Sequence, residues 1–133
     1  MKISDIISAI DAKVICGETD KSFDGVYVGD LLSRAMSRVE CNGLWVTIMP
    51  NVNVVAVATL TEPAAVVLAE NVVLQEDAQK SAEENRITVL STALSAYEIC
   101  VKLHEVISEN KSGAAIIATC ISTLACRRAV TTI

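Results

Sequence analysis

Seven polar residues follow apolar segments of this chain at positions where a ligand could be bound. They form three groups: Asp30 and Ser33, then Asn51 and Asn53, and finally Ser91, Thr92 and Ser95. If each preceding apolar segment is a strand of a parallel sheet followed by a helix, the three groups meet at one edge of that sheet. Open α/β sheets bind ligands at this edge, and the helix N-termini there favour anions. The sequence therefore predicts these seven residues as candidate ligand-binding positions.

Each group also has a structural explanation. Asp30 and Asn53 are suitable N-caps for helices. Ser95 and Glu98 form the S-x-x-E pattern of a capping box. A side chain that satisfies a helix terminus has fewer groups left for a ligand. The sequence leaves both interpretations open.

The residue types that catalysis requires are scarce. None of the five glycines is followed by Lys and Ser or Thr at the spacing of a phosphate-binding P-loop, and no G-x-S-x-G motif occurs. The single histidine, His104, has no evident partner that would make it a general base. We therefore predict no catalytic residue and no enzymatic activity. A small enzyme that uses Asp30, Ser91 and Thr92 is the least favoured alternative.

The five cysteines form neither a metal-binding nor a disulfide pattern. No C-x-x-C pair occurs, and the chain has one histidine. The N-terminus lacks the basic and apolar segments of a signal peptide. The sequence thus predicts reduced thiols, no metal, no cofactor and a cytoplasmic location.

Composition argues against nucleic-acid and membrane partners. The 133 residues carry a net charge of −5, without a basic cluster that could follow a phosphate backbone. No run reaches the ~18 apolar residues that a membrane-spanning helix requires. Hydrophobic residues make up 52% of the chain and aromatic residues 3%, which favours aliphatic strands covered by helices.

The middle of the chain predicts alternating strands and helices. The order is strand 44–48, helix 54–60, strand 65–69, a helix within 70–85, strand 87–90 and a helix that starts at Ser95. Segment 54–60 is rich in Val and has strand propensity, but parallel strands need a crossover, which is usually a helix. The predicted fold class is α/β, a small layered sandwich with a mainly parallel sheet and a β-α-β-α-β-α core. The short apolar runs 14–16 and 26–28 are expected to extend that sheet at one edge.

The C-terminal segment differs from the rest of the chain. Residues 113–133 are mostly apolar and contain no acid, and their charged residues are Arg127 and Arg128. An apolar segment of this kind must be buried against its own domain or against a partner. We expect a domain at residues 1–110 and an extension at 111–133 that adds a strand and a helix or mediates oligomerisation. A homodimer is the expected assembly.

Residues 27–60 and the segments after them resemble a known family. The strings VYVGDLLSRAMSRVECNGLWVTIMPNVNVVAVATL, AAVVLAEN and ITVLSTALSAYEICVKLHE are similar to those of small stand-alone DRTGG-domain proteins, which are bacterial and of unknown function. DRTGG domains resemble the N-terminal domain of HPr kinase/phosphorylase and the first domain of Mur ligases. The resemblance implies a small α/β sandwich and a non-catalytic regulatory domain that binds a small, nucleotide-like ligand or a partner protein. The alternative, which the apolar segment 113–133 motivates, is a homo-oligomeric assembly module.

The chain departs from the pattern that names this family. Residues 58–60 are Ala-Thr-Leu at the position where the family pattern would have Asp-Arg-Thr. Residues 69–71 are Ala-Glu-Asn at the position after the strand where the family usually has Thr-Gly-Gly. Glycines at that turn would let a backbone approach a ligand closely. Without them, and with Glu70 present to repel an anion, we do not expect this turn to bind phosphate.

Overall fold

The computed structural model describes residues 1–112, and the side chains of residues 1–109. Five helices and five strands occur in this part of the chain, in the order α1 (Ile3–Ile7), β1 (Lys13–Cys16), β2 (Val26–Val28), α2 (Leu32–Arg38), β3 (Leu44–Thr47), α3 (Val52–Thr61), β4 (Ala65–Leu68), α4 (Glu76–Glu84), β5 (Val89–Ser91) and α5 (Ala96–Ser112). The predicted β-α-β-α-β-α core corresponds to β3 through α5.

The strands form one sheet in the order β1-β5-β4-β3-β2. Strands β2 to β5 pair in parallel, and β1 pairs antiparallel with β5. The predicted α/β fold with a mainly parallel sheet is confirmed.

The two short N-terminal strands do not lie together. The expectation that they extend the sheet at one edge is wrong, because β1 and β2 occupy opposite edges. The connection between them, residues 17–25, can span about 30 Å when extended. That length exceeds the roughly 19 Å across four inter-strand spacings, so the chain can cross the whole sheet between its first two strands.

Strands β3 and β4 are buried on both faces, which explains why their sequences are continuous apolar runs rather than alternating ones. One face packs against α2, α3 and α4, and its core includes Trp45, Val66 and Val89. The other face packs against α1 and α5, and its core includes Leu44 and Leu90. The molecule is therefore a three-layer sandwich with the sheet in the middle.

Helix α3 confirms that the Val-rich segment is a crossover and not a strand. It begins two residues earlier and ends one residue later than predicted. Its N-cap is Asn51, whose side-chain oxygen accepts a hydrogen bond from the Val54 N–H, so the assignment of this role to Asn53 is wrong. Four apolar residues of the helix are buried between the sheet and its neighbours, namely Val54, Val55, Val57 and Ala58. This burial outweighs the modest strand propensity of Val.

The expected extension at 111–133 lies almost wholly outside the described residues. The domain boundary, the fate of segment 113–133 and the homodimer stay predictions. No helix within residues 1–112 is long and apolar enough to cross a membrane.

Candidate functional site

The four parallel strands end at the same edge of the sheet, which we call the carboxyl edge. Each strand is followed there by a connection to a helix, and β1 begins there because Lys13 pairs with Ser91. The seven predicted site residues all lie in these connections, at the end of β5 or in the first turn of the helix that follows. The topology thus brings the three groups to one edge.

Asp30 fixes the end of β2 to the end of β3. Its Oδ1 accepts a hydrogen bond of 2.7 Å from the Thr47 hydroxyl and one of 2.9 Å from the Ile48 N–H. The N-cap of α2 is Leu31, which has no side-chain cap, so the prediction that Asp30 caps this helix is wrong. The carboxylate joins the two strand ends because the Thr47 hydroxyl and the Ile48 N–H both face it at short distance.

Thr92 is buried, with 3% of its surface exposed. Its hydroxyl donates a hydrogen bond of 2.6 Å to the carbonyl of Ile10 and accepts one of 3.2 Å from the Leu94 N–H. Because this hydroxyl is buried and its proton is used inside the fold, Thr92 cannot donate a hydrogen bond to a ligand.

Two further candidates cap helices. Ser95 and Glu98 make the predicted capping box: the Ser95 Oγ accepts from the Glu98 N–H at 3.2 Å, and the Glu98 Oε1 accepts from the Ser95 N–H at 3.3 Å. Asn51 Oδ1 lies 3.4 Å from the Val54 nitrogen at the start of α3. Both side chains have a structural role at the carboxyl edge.

The remaining three candidates are Ser33, Asn53 and Ser91. Their side chains make no hydrogen bond to another described residue. Ser33 and Asn53 are exposed on the first turns of α2 and α3, and Ser91 is half-buried at the end of β5. Of the seven candidates, these three keep polar groups free to meet a bound molecule.

The turn after β4 has an unusual backbone. Glu70 and Asn71 both adopt left-handed conformations, with φ of 58° and 60°. The Glu70 N–H donates to the carbonyl of Leu94, and the Asn71 N–H donates to that of Thr92, each at 2.9 Å. The N–H groups that could have surrounded a phosphate are therefore used to hold the β5–α5 connection. This agrees with the expectation that the turn does not bind phosphate.

Sequence reasoning missed a set of exposed apolar side chains at this edge. We call them the carboxyl rim: Leu31 (63% exposed), Ile48 (38%), Val52 (40%), Val73 (82%) and Tyr97 (78%). Leu31, Ile48 and Val73 follow the adjacent strands β2, β3 and β4, which lie about 5 Å apart. The predicted strand 44–48 includes Ile48, whereas β3 ends at Thr47 and leaves Ile48 38% exposed. The sequence carries no signal that separates these rim residues from buried ones, because an apolar residue just beyond a strand has the same pattern as one inside the strand.

The charged side chains at the carboxyl edge are mainly acidic. We counted them in the connections 29–34, 48–54, 69–77 and 92–98 and in 11–13, which leads into β1. These segments hold six exposed acids and two exposed bases: Asp11, Asp30, Glu70, Glu76, Asp77 and Glu98 against Lys13 and Arg34. The acids in the first turns of α4 and α5 also stabilise these helices, because negative charge interacts favourably with the dipole at a helix N-terminus. The edge as a whole combines apolar side chains with negative charge.

A cavity of about 540 Å³ opens at the opposite edge of the sheet, and its lining residues are Gly17, Glu18, Lys21, Ala82, Glu83 and Arg86. None of the seven predicted site residues lines it. Its two basic and two acidic side chains give it no dominant charge, and we assign it no ligand.

Metal or thiol chemistry finds no support in residues 1–112. No group of three His, Cys, Asp or Glu residues there could hold a metal ion. Cys16, Cys41 and Cys100 are free thiols, and burial raises the pKa of Cys16 and of Cys100, which makes both less reactive. His104 is exposed on α5.

Comparison with protein families gives one clear result. The profile of the DRTGG domain matches residues 5–106, which is most of the chain. The chain belongs to the DRTGG-domain family. A search of curated proteins gave no match.

Among solved structures, this DRTGG domain is similar to the CBS and DRTGG domains of the regulatory region of Clostridium perfringens pyrophosphatase, which were crystallised with the activator diadenosine tetraphosphate. The TM-score is 0.60 at 10% sequence identity, and the match covers 74% of this chain and 44% of that one. The aligned part thus spans less than half of the pyrophosphatase region. At this identity the likeness shows a shared fold.

Proposed function

We propose that this DRTGG domain is a non-catalytic regulatory module that binds a partner protein at the carboxyl edge of its sheet. The observation that carries the proposal is the carboxyl rim, five exposed apolar side chains that follow the ends of the parallel strands. Contiguous exposed apolar patches rimmed by polar residues mark interaction surfaces, and the sheet topology brings these five side chains to one edge. The occurrence of a DRTGG domain in the regulatory region of a pyrophosphatase supports a regulatory role.

The polar groups at the same edge favour binding over catalysis. Asp30, Thr92 and Ser95 are held in hydrogen bonds within the fold. Ser33 and Ser91 are free, but neither forms a hydrogen bond with a base in the described residues. A hydroxyl without an adjacent base is a weak nucleophile at neutral pH.

A small ligand is the second candidate. It is favoured by the three free polar side chains, Ser33, Asn53 and Ser91, at the edge where α/β sheets bind ligands. The proposal includes a cytoplasmic setting, supported by the free thiols of Cys16, Cys41 and Cys100. Homo-oligomeric assembly is the third candidate, and it depends on segment 113–133.

Affinity capture with matched variants tests the partner proposal. Val73→Asp and Leu31→Asp place a charge in the carboxyl rim, whereas Leu60→Asp places the same charge at the opposite end of α3, where Leu60 is 71% exposed. A true partner is captured by the wild type and by Leu60→Asp but not by the rim variants. It must also bind the purified domain, with an affinity at least about tenfold weaker for Val73→Asp, since burying an unpaired charge costs more than 1.4 kcal/mol.

Thermal shift with nucleotides, diadenosine tetraphosphate and phosphorylated metabolites tests the ligand candidate. A ligand present at about 100 times its Kd stabilises the folded state by about 2.7 kcal/mol. A shift that is absent in Asn53→Ala but present in Leu60→Asp would favour the small ligand. If no compound shifts the melting temperature, the small-ligand candidate fails and the partner proposal stands alone.

A further inference from the structure

We propose that the carboxyl rim binds an amphipathic α-helix of the partner, which lies across the ends of the strands and carries Lys or Arg beside its apolar face. The inference rests on the proposed function and deepens it, because it names the kind of segment that the partner presents. Three features of the described residues support it: the order of the rim side chains, the hydrogen bonds between the connections that carry them, and the charge around them.

Four of the rim side chains follow the strands in their order in the sheet. Leu31, Ile48, Val73 and Tyr97 come after β2, β3, β4 and β5, one after each strand, and these strands are consecutive neighbours. Val52 adds a fifth apolar side chain at the start of α3. Because neighbouring strands lie about 5 Å apart, the four strand ends span about 14 Å. A segment that contacts all four connections must therefore cross the strands.

Hydrogen bonds hold these connections side by side. The Asp30 carboxylate accepts from the Ile48 N–H at 2.9 Å, which joins the β2–α2 connection to the β3–α3 connection. The Gln75 N–H donates to the Pro50 carbonyl at 3.1 Å, which joins the β3–α3 and β4–α4 connections. The Glu70 N–H joins the β4–α4 and β5–α5 connections in the same way, at 2.9 Å. The surface is thus formed before a partner arrives, so binding does not bear the cost of ordering it.

The spacing of the strand ends matches a helix better than an extended segment. Positions i+4, i+7 and i+11 of an α-helix lie about 6, 10.5 and 16.5 Å along the axis from position i, on the same face. The strand ends lie about 5, 10 and 14 Å from the first. Side chains on one face of an extended segment recur about every 6.7 Å and reach about 20 Å at the fourth, so they lose register. A helix of about twelve residues can place one apolar side chain at each connection.

The charge at this edge favours a basic helix. The connections hold six exposed acids and two exposed bases, an excess of four negative charges. The N-termini of the four helices that begin here contribute about +0.5 each, or about +2 in all, which offsets half of that excess. None of the six acids forms an ion pair within the described residues. Lys or Arg beside the apolar face of the helix would therefore be attracted to the edge and would speed association.

Displayed peptide libraries test the inference with the full chain as the target. The first library presents an Ala and Lys helix with varied apolar residues at i, i+4, i+7 and i+11. The second has Glu in place of each Lys, and the third places the same apolar residues at alternating positions, as in a strand. Each library is selected on the wild type and depleted on Val73→Asp, so that the remaining binders require the rim.

We expect rim-dependent binders from the Lys helix library. The best of these peptides should bind the wild type and Leu60→Asp equally, and Leu31→Asp at least about tenfold more weakly, because an unpaired charge is buried there. An unchanged circular dichroism spectrum shows that a variant is folded. If Val73→Asp unfolds the domain, Tyr97→Asp takes its place in the depletion step.

Neutral variants test the charge separately. Glu70→Gln with Glu76→Gln removes two acids on either side of Val73, and Glu62→Gln with Glu84→Gln removes two exposed acids at the opposite edge. The first pair should slow association of the Lys helix peptide and weaken its dependence on salt, whereas the second pair should leave both unchanged. Equal effects of the two pairs would overturn the basic character assigned to the helix, because the net charge of the domain would then attract the peptide.

The libraries also define the results that overturn the inference. These are rim-dependent binders from the Glu helix library or the alternating library, or none from the Lys helix library. Loss of a captured partner in the rim variants decides the proposed function, and the segment of that partner at the rim decides this inference. A partner that is lost in the rim variants but binds through an extended or acidic segment would refute the inference and leave the proposed function intact.

Discussion

At the scale of single residues, Thr92 ties the beginning of the chain to the carboxyl edge. Its hydroxyl donates to the Ile10 carbonyl across 82 positions of sequence and also accepts from the Leu94 N–H. Asp30 has a similar role between β2 and β3. These two side chains order the edge, and their hydrogen-bonding groups are used within the fold.

Thr92→Val should therefore destabilise the domain. The change leaves the Ile10 carbonyl and the Leu94 N–H without their partner, which costs about 2 kcal/mol in the free energy of unfolding. Thr59→Val is the matched control, because the Thr59 hydroxyl bonds only to the Val55 carbonyl in its own helix. We expect less than about 0.5 kcal/mol for the control by urea denaturation. Equal losses in both variants would contradict the proposed role of Thr92.

Glu70→Gly should stabilise the domain. Glu70 has a φ of 58°, where a side chain costs about 1–2 kcal/mol. Glycine removes that cost but loses about 0.5–1 kcal/mol of chain entropy, so a net gain of about 0.5 kcal/mol is expected. Lys80→Gly, in the middle of α4, should lose about 1 kcal/mol. A loss of stability at both positions in thermal unfolding would show that Glu70 makes a contact that outweighs its strain.

The thiols should differ in reactivity. Burial, together with the nearby Glu83 carboxylate, raises the pKa of Cys16, and burial raises the pKa of Cys100. A raised pKa lowers the thiolate fraction at a given pH, and the thiolate is the reactive form. At pH 8, Cys41 should therefore be alkylated before Cys16 and Cys100, as read by mass spectrometry of the intact chain. Faster reaction of Cys16 or Cys100 would indicate that the fold opens near these residues.

At the scale of secondary structure, helix α3 shows which properties the sequence could predict. The sixteen residues between two apolar strands required a crossover, and that topological argument correctly outranked the strand propensity of Val. The choice of N-cap could not be made in this way, because Asn51 and Asn53 are chemically equal and only the backbone angles of the first turn separate them. The separation of β1 and β2 was equally hidden, since the polar loop 17–25 is long enough to reach either edge of the sheet.

The two asparagines provide a test of the helix start. Asn51→Ala should lower the free energy of unfolding by about 1 kcal/mol, because it removes the side-chain acceptor of the Val54 N–H. Asn53→Ala should change it by less than about 0.5 kcal/mol, since Asn53 is exposed on the first turn and makes no hydrogen bond in the described residues. The reverse order in chemical denaturation would place the helix start two residues later.

At the scale of the whole molecule, the sheet collects the ends of four parallel strands at one surface. The sequence predicted seven polar residues at that edge as candidate ligand-binding positions. Four of them form hydrogen bonds within the fold. The sequence did not reveal the carboxyl rim, because an apolar residue just beyond a strand has the same pattern as one inside the strand. Exposure depends on where the helices pack, and that is decided by contacts between distant segments.

The central claim is that a partner binds at the carboxyl rim, and hydrogen–deuterium exchange of the domain with and without its captured partner tests it most directly. The account predicts slower exchange on binding in peptides that cover 29–34, 48–54 and 69–77. Peptides at the opposite edge, around 40–43 and 83–87, should exchange at unchanged rates. Protection confined to the opposite edge, with the carboxyl edge unchanged, would contradict the account.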